Sequence, residues 1–163
     1  MERTGIGLYG YSLSIECEQG FCGTAAAKVH DQLQHVMTWK TRILAVRDLA
    51  AGEVIGYNGI FAAKNPMRVA LLPVGYSEGL RRELSSSNDR PGGWVIIHGR
   101  RAPIVGRISM NLTTVDVTGI DHARVGDEVI VLGDGVTADD HARLAHTIAY
   151  EILCGVRAEP RLV

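Results

Sequence analysis

Nineteen glycines interrupt this 163-residue chain and cut its apolar residues into short runs. Runs of that length are too brief to lay a buried stripe along several helical turns, but they suit strands of about five residues closed by turns. Val36 to Val46 (VMTWKTRILAV) opens as an alternation rich in β-formers, and Val69 to Val74 (VALLPV) is a continuous apolar run ending at Gly75. Trp94 to Ile97 precedes a turn at His98-Gly99-Arg100. Ile104 to Ile108 is interrupted by Gly106, which predicts a bulge or a close backbone approach. Leu112 to Val117 and Val129 to Leu132 complete six short strands. The expected fold is mainly β, an antiparallel barrel or sandwich rather than βαβ units.

A helix is expected near the carboxy terminus. Thr137-Ala-Asp-Asp140 has the form of a capping box, with Asp in place of Glu. Leu144, Ile148 and Ile152 fall four apart and predict one face packed on the sheet, with His146-Thr147 as a point of interruption. The first 35 residues differ in kind. Gly5 to Gly10 reads as a lone strand between glycines, and a polar, Ala-rich connection follows over residues 14–34. A lone strand has nothing local to pair with, so Gly5–Gly10 is expected to pair with another chain or to stay unordered. The division expected is residues 1–35, a remnant of some other unit, and residues 36–163, the β-domain.

Hydrophobic residues make up 46% and charged residues 21%, enough for a buried core. A formal charge of -1 argues against a nucleic-acid partner held by bulk electrostatics. No apolar run approaches the roughly 20 residues that span a bilayer, and no cleavable leader follows Met1, so a cytoplasmic protein is expected. Cys17, Cys22 and Cys154 are odd in number and lack CxxC spacing, which favours free thiols over a disulfide framework or a zinc site. The six histidines show no ligand spacing, and no metal is expected.

Several loops carry chemistry-bearing side chains. Tyr57 lies in Ile-Gly-Tyr-Asn-Gly, and Tyr76 lies in Gly-Tyr-Ser-Glu-Gly after an apolar strand. Taken singly, each is a turn tyrosine at a rim; two such loops within twenty residues suggest a shared use. Gly106-Arg107-Ile108-Ser109-Met110-Asn111 places a cation, a hydroxyl, a thioether and an amide after a strand, where a backbone N–H can hold a carboxylate. Tyr150 sits in a helical stretch. Around Gly5 and Ile6, adjacent N–H groups can cradle a phosphate, although a glycine pair alone is weak support.

In order and spacing, these pieces resemble the alanine racemase family. The matching strings are RTGIGLYGY, MTWKTRI, AGEVIGYNGIF, VALLPVGYSEGLRRELS, GRRAPIVGRISMN, TVDVT, VGDEVIVLG and TIAYEILCGV. The resemblance implies a (β/α)8 barrel holding pyridoxal phosphate, joined to a mostly β carboxy-terminal domain, in a head-to-tail homodimer. Arg3 to Tyr9 would then be the barrel's last strand. Tyr57 would be a catalytic base that exchanges the α-proton of an amino acid bound in the partner subunit's barrel. Arg3 would face the pyridine nitrogen of the cofactor, where a guanidinium that keeps its proton leaves that nitrogen unprotonated. Gly5 and Ile6 would give backbone donors to the cofactor phosphate, and Tyr150 a hydroxyl to the same group. Met110 would offer its N–H to the substrate carboxylate, while Tyr76 and Arg107 would line an access channel.

The chain also departs from the family pattern. Thr4 stands for a proline, Glu78 for an aspartate, and Asn111 for an aspartate beside the mouth of the site; the last change bears on substrate choice. Residues 156–161 keep a loose version of a basic, proline-containing tail. Lys28, Lys40 and Lys64 do not match the family's cofactor lysine, so the isolated chain is expected to be inactive. Alternatives are a noncatalytic β-domain used for binding or dimerisation, and a decarboxylase-like tail, against which GYNG and GRISMN speak.

Overall fold

The structure, a computed structural model, describes residues 5–11 and 33–158, and the chain divides into two compact units, residues 1–38 and 39–163. Cys17, Cys22, Lys28, Arg3, Thr4 and the connection from residue 14 to residue 32 lie outside the described residues, as does the tail from residue 159.

In the first unit, Gly5–Tyr9 forms a 3-10 helix rather than the expected strand. A strand must exchange N–H and C=O groups with a neighbour. Here the segment satisfies itself locally, with the Gly10 N–H donating to the Gly7 carbonyl and the Tyr11 N–H to the Ile6 carbonyl. The Tyr11 and His35 rings stack at 4.0 Å.

The second unit holds nine strands among the described residues, all paired antiparallel. β1 (Trp39–Arg42), β9 (Glu128–Leu132), β6 (Trp94–Ile97) and β7 (Arg100–Pro103) form one sheet in that order. The inner strands are buried at Val95, Ile97, Val129, Val131 and Leu132. β7 lies at the edge and carries two arginines and a proline, a composition an edge tolerates because its outer N–H groups need no partner. His98 and Gly99 join β6 to β7 with φ values of 50° and 73°. That two-residue turn needs positive φ at both positions and matches the twist of the strands it connects.

A second sheet has the order β2 (Ala45–Leu49), β5 (Met67–Leu72), β8 (Thr113–Asp116), and a two-stranded ribbon pairs β3 (Val54–Ile55) with β4 (Phe61–Ala62). Leu49, Ile55, Val69 and Val105 make a small apolar cluster beneath the ribbon, with Phe61 and Met67 against it. The Ile104–Ile108 run is not a strand. Ile104 forms a single bridge with Val115, and the chain then turns at Gly106.

Two short helices follow. Thr137 caps α1 (Ala138–Ala145): its side chain accepts from the Asp140 N–H, while the Asp140 carboxylate accepts from the Thr137 N–H at 2.9 Å. Ala138, His141, Ala142 and Ala145 are buried, which is the i, i+3, i+4, i+7 stripe of one helical face. His146 is left-handed at φ 55° and ends the helix; α2 (Ala149–Gly155) begins anew from an extended Ile148. That break corrects the expected stripe through residue 148. Ile152 is buried, but Ile148 is thrown out of phase and is 56% exposed.

Candidate functional site

The segment Val105–Asn111 is the hub around which the expected site residues gather. From β3 the chain passes through Gly56, at φ 75°, into a 3-10 turn at Tyr57–Gly59 that contains Asn58 at φ 65°. A Cβ on Gly56 would lie 2.9 Å from the Arg107 nitrogen, and one on Gly106 would lie 3.0 Å from the Ile55 carbonyl oxygen. The two backbones press together with a glycine on each side. Asn88 fixes the far end of the turn. Its Oδ1 accepts from the Ala62 N–H at 2.7 Å and its Nδ2 donates to the Ala62 carbonyl at 2.8 Å, as a neighbouring strand would. Tyr57 stands on this fixed base and is 68% exposed.

The Tyr76 loop is stapled to the other half of the hub. The Tyr76 N–H donates to the Ser109 carbonyl at 3.1 Å and the Ser77 N–H to the Met110 carbonyl at 2.9 Å. No Cβ fits at Gly75, where it would fall 2.3 Å from the Ser109 oxygen. Glu78 closes the loop on itself by accepting the Gly75 N–H at 2.8 Å, and the Asn111 amide reaches across to Glu78 at 3.1 Å. Burial pushes the Glu78 carboxyl up, but the hydrogen bonds from Ser77, the Gly75 N–H and Asn111 together hold it below the usual carboxylate range. Tyr76 and Met110 remain 49% and 56% exposed.

Arg107 is half-buried and, among the described residues, has no ion-pair partner. It lines a groove of about 520 Å³ together with Ile60, Arg82, Ser86, Ser87 and Arg90. Arg90 is tied to the Glu83 and Ser85 carbonyls at 2.7 and 3.0 Å. Tyr57, Tyr76 and Met110 do not line the groove; they form an exposed ridge beside it.

Tyr150 lies half-buried on α2, whose end is docked on the Tyr76 loop. A Cβ on Gly79 would come within 2.1 Å of the Gly155 carbonyl oxygen, and the Arg157 N–H donates to the Glu78 carbonyl at 3.0 Å. Glu151 pairs with Arg81 at 3.4 Å and accepts from the Thr147 hydroxyl. Gly5, at φ 54°, and the buried Ile6 belong to the first unit, and Arg3 lies outside the described residues.

The residues that hold the ridge were not legible as such. Ser85 and Ser86 are buried, and their hydroxyls accept from the Ile108 and Gly106 N–H groups at 3.0 and 3.3 Å. In the sequence they belong to a polar Ser-Ser-Ser-Asn string that looks like a solvated loop. The one available signal was its position directly after an apolar pattern ending at Leu84.

Residues 36–163 match the family model described as the C-terminal domain of alanine racemase. The chain belongs to the alanine racemase family. It is 42% identical to an alanine racemase of Syntrophobacter fumaroxidans, across 96% of this chain and 39% of that protein. An alanine racemase of Leptospira interrogans is 39% identical, across 100% of this chain and 41% of the relative. Among solved structures, the biosynthetic alanine racemase of Pseudomonas aeruginosa superposes with a TM-score of 0.77 at 32% identity, over 94% of this chain and 39% of that one. The Bartonella henselae alanine racemase, solved with covalently bound pyridoxal phosphate, gives 0.76 at 29% identity, over 93% of this chain and 38% of that one. The chain therefore spans about two fifths of the length of these racemases.

Two lysines fall among the described residues of this alanine racemase domain. Lys40 is paired with Glu128 at 2.8 Å on the sheet surface, and Lys64 lies exposed in the turn between β4 and β5.

Proposed function

We propose that the chain is the carboxy-terminal part of a pyridoxal-phosphate-dependent racemase acting on alanine, or on serine or a broader set of amino acids, and that its Tyr57 serves a site in the barrel of a partner subunit. The observation that carries this reading is the pairing of rigidity with exposure at Tyr57. A general base for another molecule's substrate must be held still by its own fold while its hydroxyl remains reachable. Glycine contact, the Asn88 clasp and the Arg107 backbone hold the loop, and the ring points away from the core.

The remaining roles follow from residue chemistry. The Met110 N–H suits a substrate carboxylate. Tyr76 and Arg107 would line the access channel. Gly5, Ile6 and the Tyr150 hydroxyl would hold the cofactor phosphate, with Arg3 facing its ring. The covalent seat would come from the barrel present in the longer relatives. We also propose a cytoplasmic homodimer; among the described residues, no helix is long and apolar enough to cross a membrane.

The test is to mix this chain with a racemase barrel domain carrying pyridoxal phosphate and to follow interconversion of D- and L-alanine. Activity above that of the barrel alone, lost in Tyr57→Phe, is expected, and the chain alone should be inactive. Equal activity with Tyr57→Phe, or none above the barrel alone, would overturn the reading.

A further inference from the structure

Two departures from the family pattern, Glu78 and Asn111, face each other in the structure. The Asn111 Nδ2 donates to the Ser77 hydroxyl oxygen at 2.7 Å and to Glu78 Oε1 at 3.1 Å. Ser77 in turn meets the Met110 carbonyl through its N–H at 2.9 Å and its hydroxyl at 2.8 Å. A trans peptide points its C=O and the following N–H in opposite directions, and no cis bond occurs among the described residues. The Ser109 and Met110 carbonyls both point into the Tyr76–Ser77 loop. The N–H groups of Met110 and Asn111 must therefore both point away from it, and neither has a partner among the described residues. Two consecutive unpaired N–H groups on one side of a turn form a small anion cradle.

We propose that Glu78, Ser77 and Asn111 are positioning residues that lock this two-donor cradle, in which the Asn111 N–H joins that of Met110 in holding a carboxylate. The inference rests on the proposed substrate contact of Met110 and extends it. A glutamate at position 78 reaches one carbon further than aspartate, and its oxygen arrives where residue 111 must be a donor. An amide meets that need. A carboxylate at 111 would face a second carboxylate at about 3 Å, where like charges disfavour joint ionisation. Asn111 and Ser77 are not titratable, the Arg157 N–H meets the Glu78 backbone carbonyl, and Arg81 is engaged with Glu83 and Glu151, so among the described residues no cation pairs with the Glu78 carboxylate to offset a second negative charge.

The experiment uses the 163-residue chain and amide NMR, with acetate as the probe and chloride at equal ionic strength as the control. In the wild type, acetate should move the Met110 and Asn111 amide signals more than chloride does, to the same extent between pH 5.5 and 8. In Asn111→Asp the response should fall about tenfold at pH 7 and return as acid protonates one member of the carboxylate pair. The swap Glu78→Gln with Asn111→Asp should restore it at neutral pH, because the amide and the carboxylate have traded places. If Asn111→Asp unfolds the chain, Asn111→Ala replaces it and should show the same loss without recovery in acid. An acetate response no larger than that of chloride, or one unchanged in the substituted chains, overturns the proposal. Because no barrel or cofactor is involved, such a failure leaves the Tyr57 assignment standing, whereas a failed complementation beside a positive acetate response removes Tyr57 and keeps the cradle.

Discussion

The α1 face of the domain and the Tyr57–Tyr76–Met110 ridge solve opposite problems with the same short loops. Under α1 the contacts are made through side chains. His141 and Ala142 are buried, and His141 Nε2 lies 3.5 Å from the Trp94 carbonyl. The Trp94 indole donates to the Gly135 carbonyl at 3.0 Å, and Arg101 stacks over its ring at 4.3 Å. Along the ridge the backbones touch each other at Gly56, Gly75, Gly79 and Gly106, and the large side chains are turned out to solvent. Side-chain packing can relax around a lost methyl group, whereas a backbone contact cannot take in an added one. The ridge is thus the more brittle region although it is the more exposed.

Gly75→Ala tests that contrast most severely. Its Cβ would meet the Ser109 and Met110 carbonyl oxygens at 2.3 and 2.4 Å, so the stapled loops must part. A loss of roughly 3 kcal/mol or more is expected by urea unfolding, together with loss of complementation. Gly52→Ala is the control. It has a left-handed φ of 89° with nothing within 4 Å of a new Cβ, and should cost only about 1 kcal/mol. Similar losses at both positions would show that the ridge is not held by backbone contact.

The α1 side should fail through protonation instead. Burial pushes the His141 ring down from 6.5 to about 4, against weaker opposing effects of the Trp94 carbonyl and Asp140. The folded state therefore holds the neutral ring. Stability is fully present above pH 6.5, is lost as the pH falls from there toward 4, and is constant with respect to this group below that. The total is about 3 kcal/mol. Unfolding midpoints across that window should show the slope, and His141→Leu should flatten it. A slope that survives His141→Leu across this window would assign the acid sensitivity to a group other than His141.

What the sequence disclosed divides along the same line. Short apolar runs closed by turn residues exposed β5, β6, β8 and β9, and the capping residues exposed α1, because each is a local signal that tertiary packing then endorsed. β3 and β4, at two residues each, are too short to show any period, and β7 disguises an edge strand as a charged loop. The ridge residues stood out as aromatic and cationic side chains beside glycines, and Gly106 was readable as a close approach. Their supports were not readable. Asn88 acts as a surrogate strand and Ser85 and Ser86 as buried acceptors only because residues some twenty positions away come to meet them. Gly5–Tyr9 was misjudged for the complementary reason: a strand's conformation depends on a neighbour that local sequence cannot supply.

A smaller loss is expected at the α1 cap. Thr137→Ala removes the acceptor of the Asp140 N–H and the hydroxyl that donates to the Asp140 carboxylate at 2.9 Å, so thermal unfolding should report a loss of about 1 kcal/mol. Thr137→Ser keeps the oxygen and should recover most of it. A cost near zero would mean that packing of the alanine stripe alone holds α1.

The smallest effect on folding is expected where the effect on chemistry is expected to be largest. Tyr57 presents its ring to solvent, and its hydroxyl makes no hydrogen bond to another described residue. Removing one oxygen there leaves Gly56, Asn58, Asn88 and the Arg107 backbone as they were. Tyr57→Phe should therefore shift the unfolding free energy by less than about 0.5 kcal/mol. A residue whose hydroxyl served structure would cost more, since a buried donor left unpaired typically loses about 1–3 kcal/mol. Circular dichroism and urea unfolding of the two chains, measured beside the complementation assay, separate the cases. Matched stability with lost alanine interconversion assigns the hydroxyl to chemistry in a neighbouring pocket. A drop of more than about 1 kcal/mol would show the phenol engaged within this domain, and the ridge would then be one more packed surface like the face under α1.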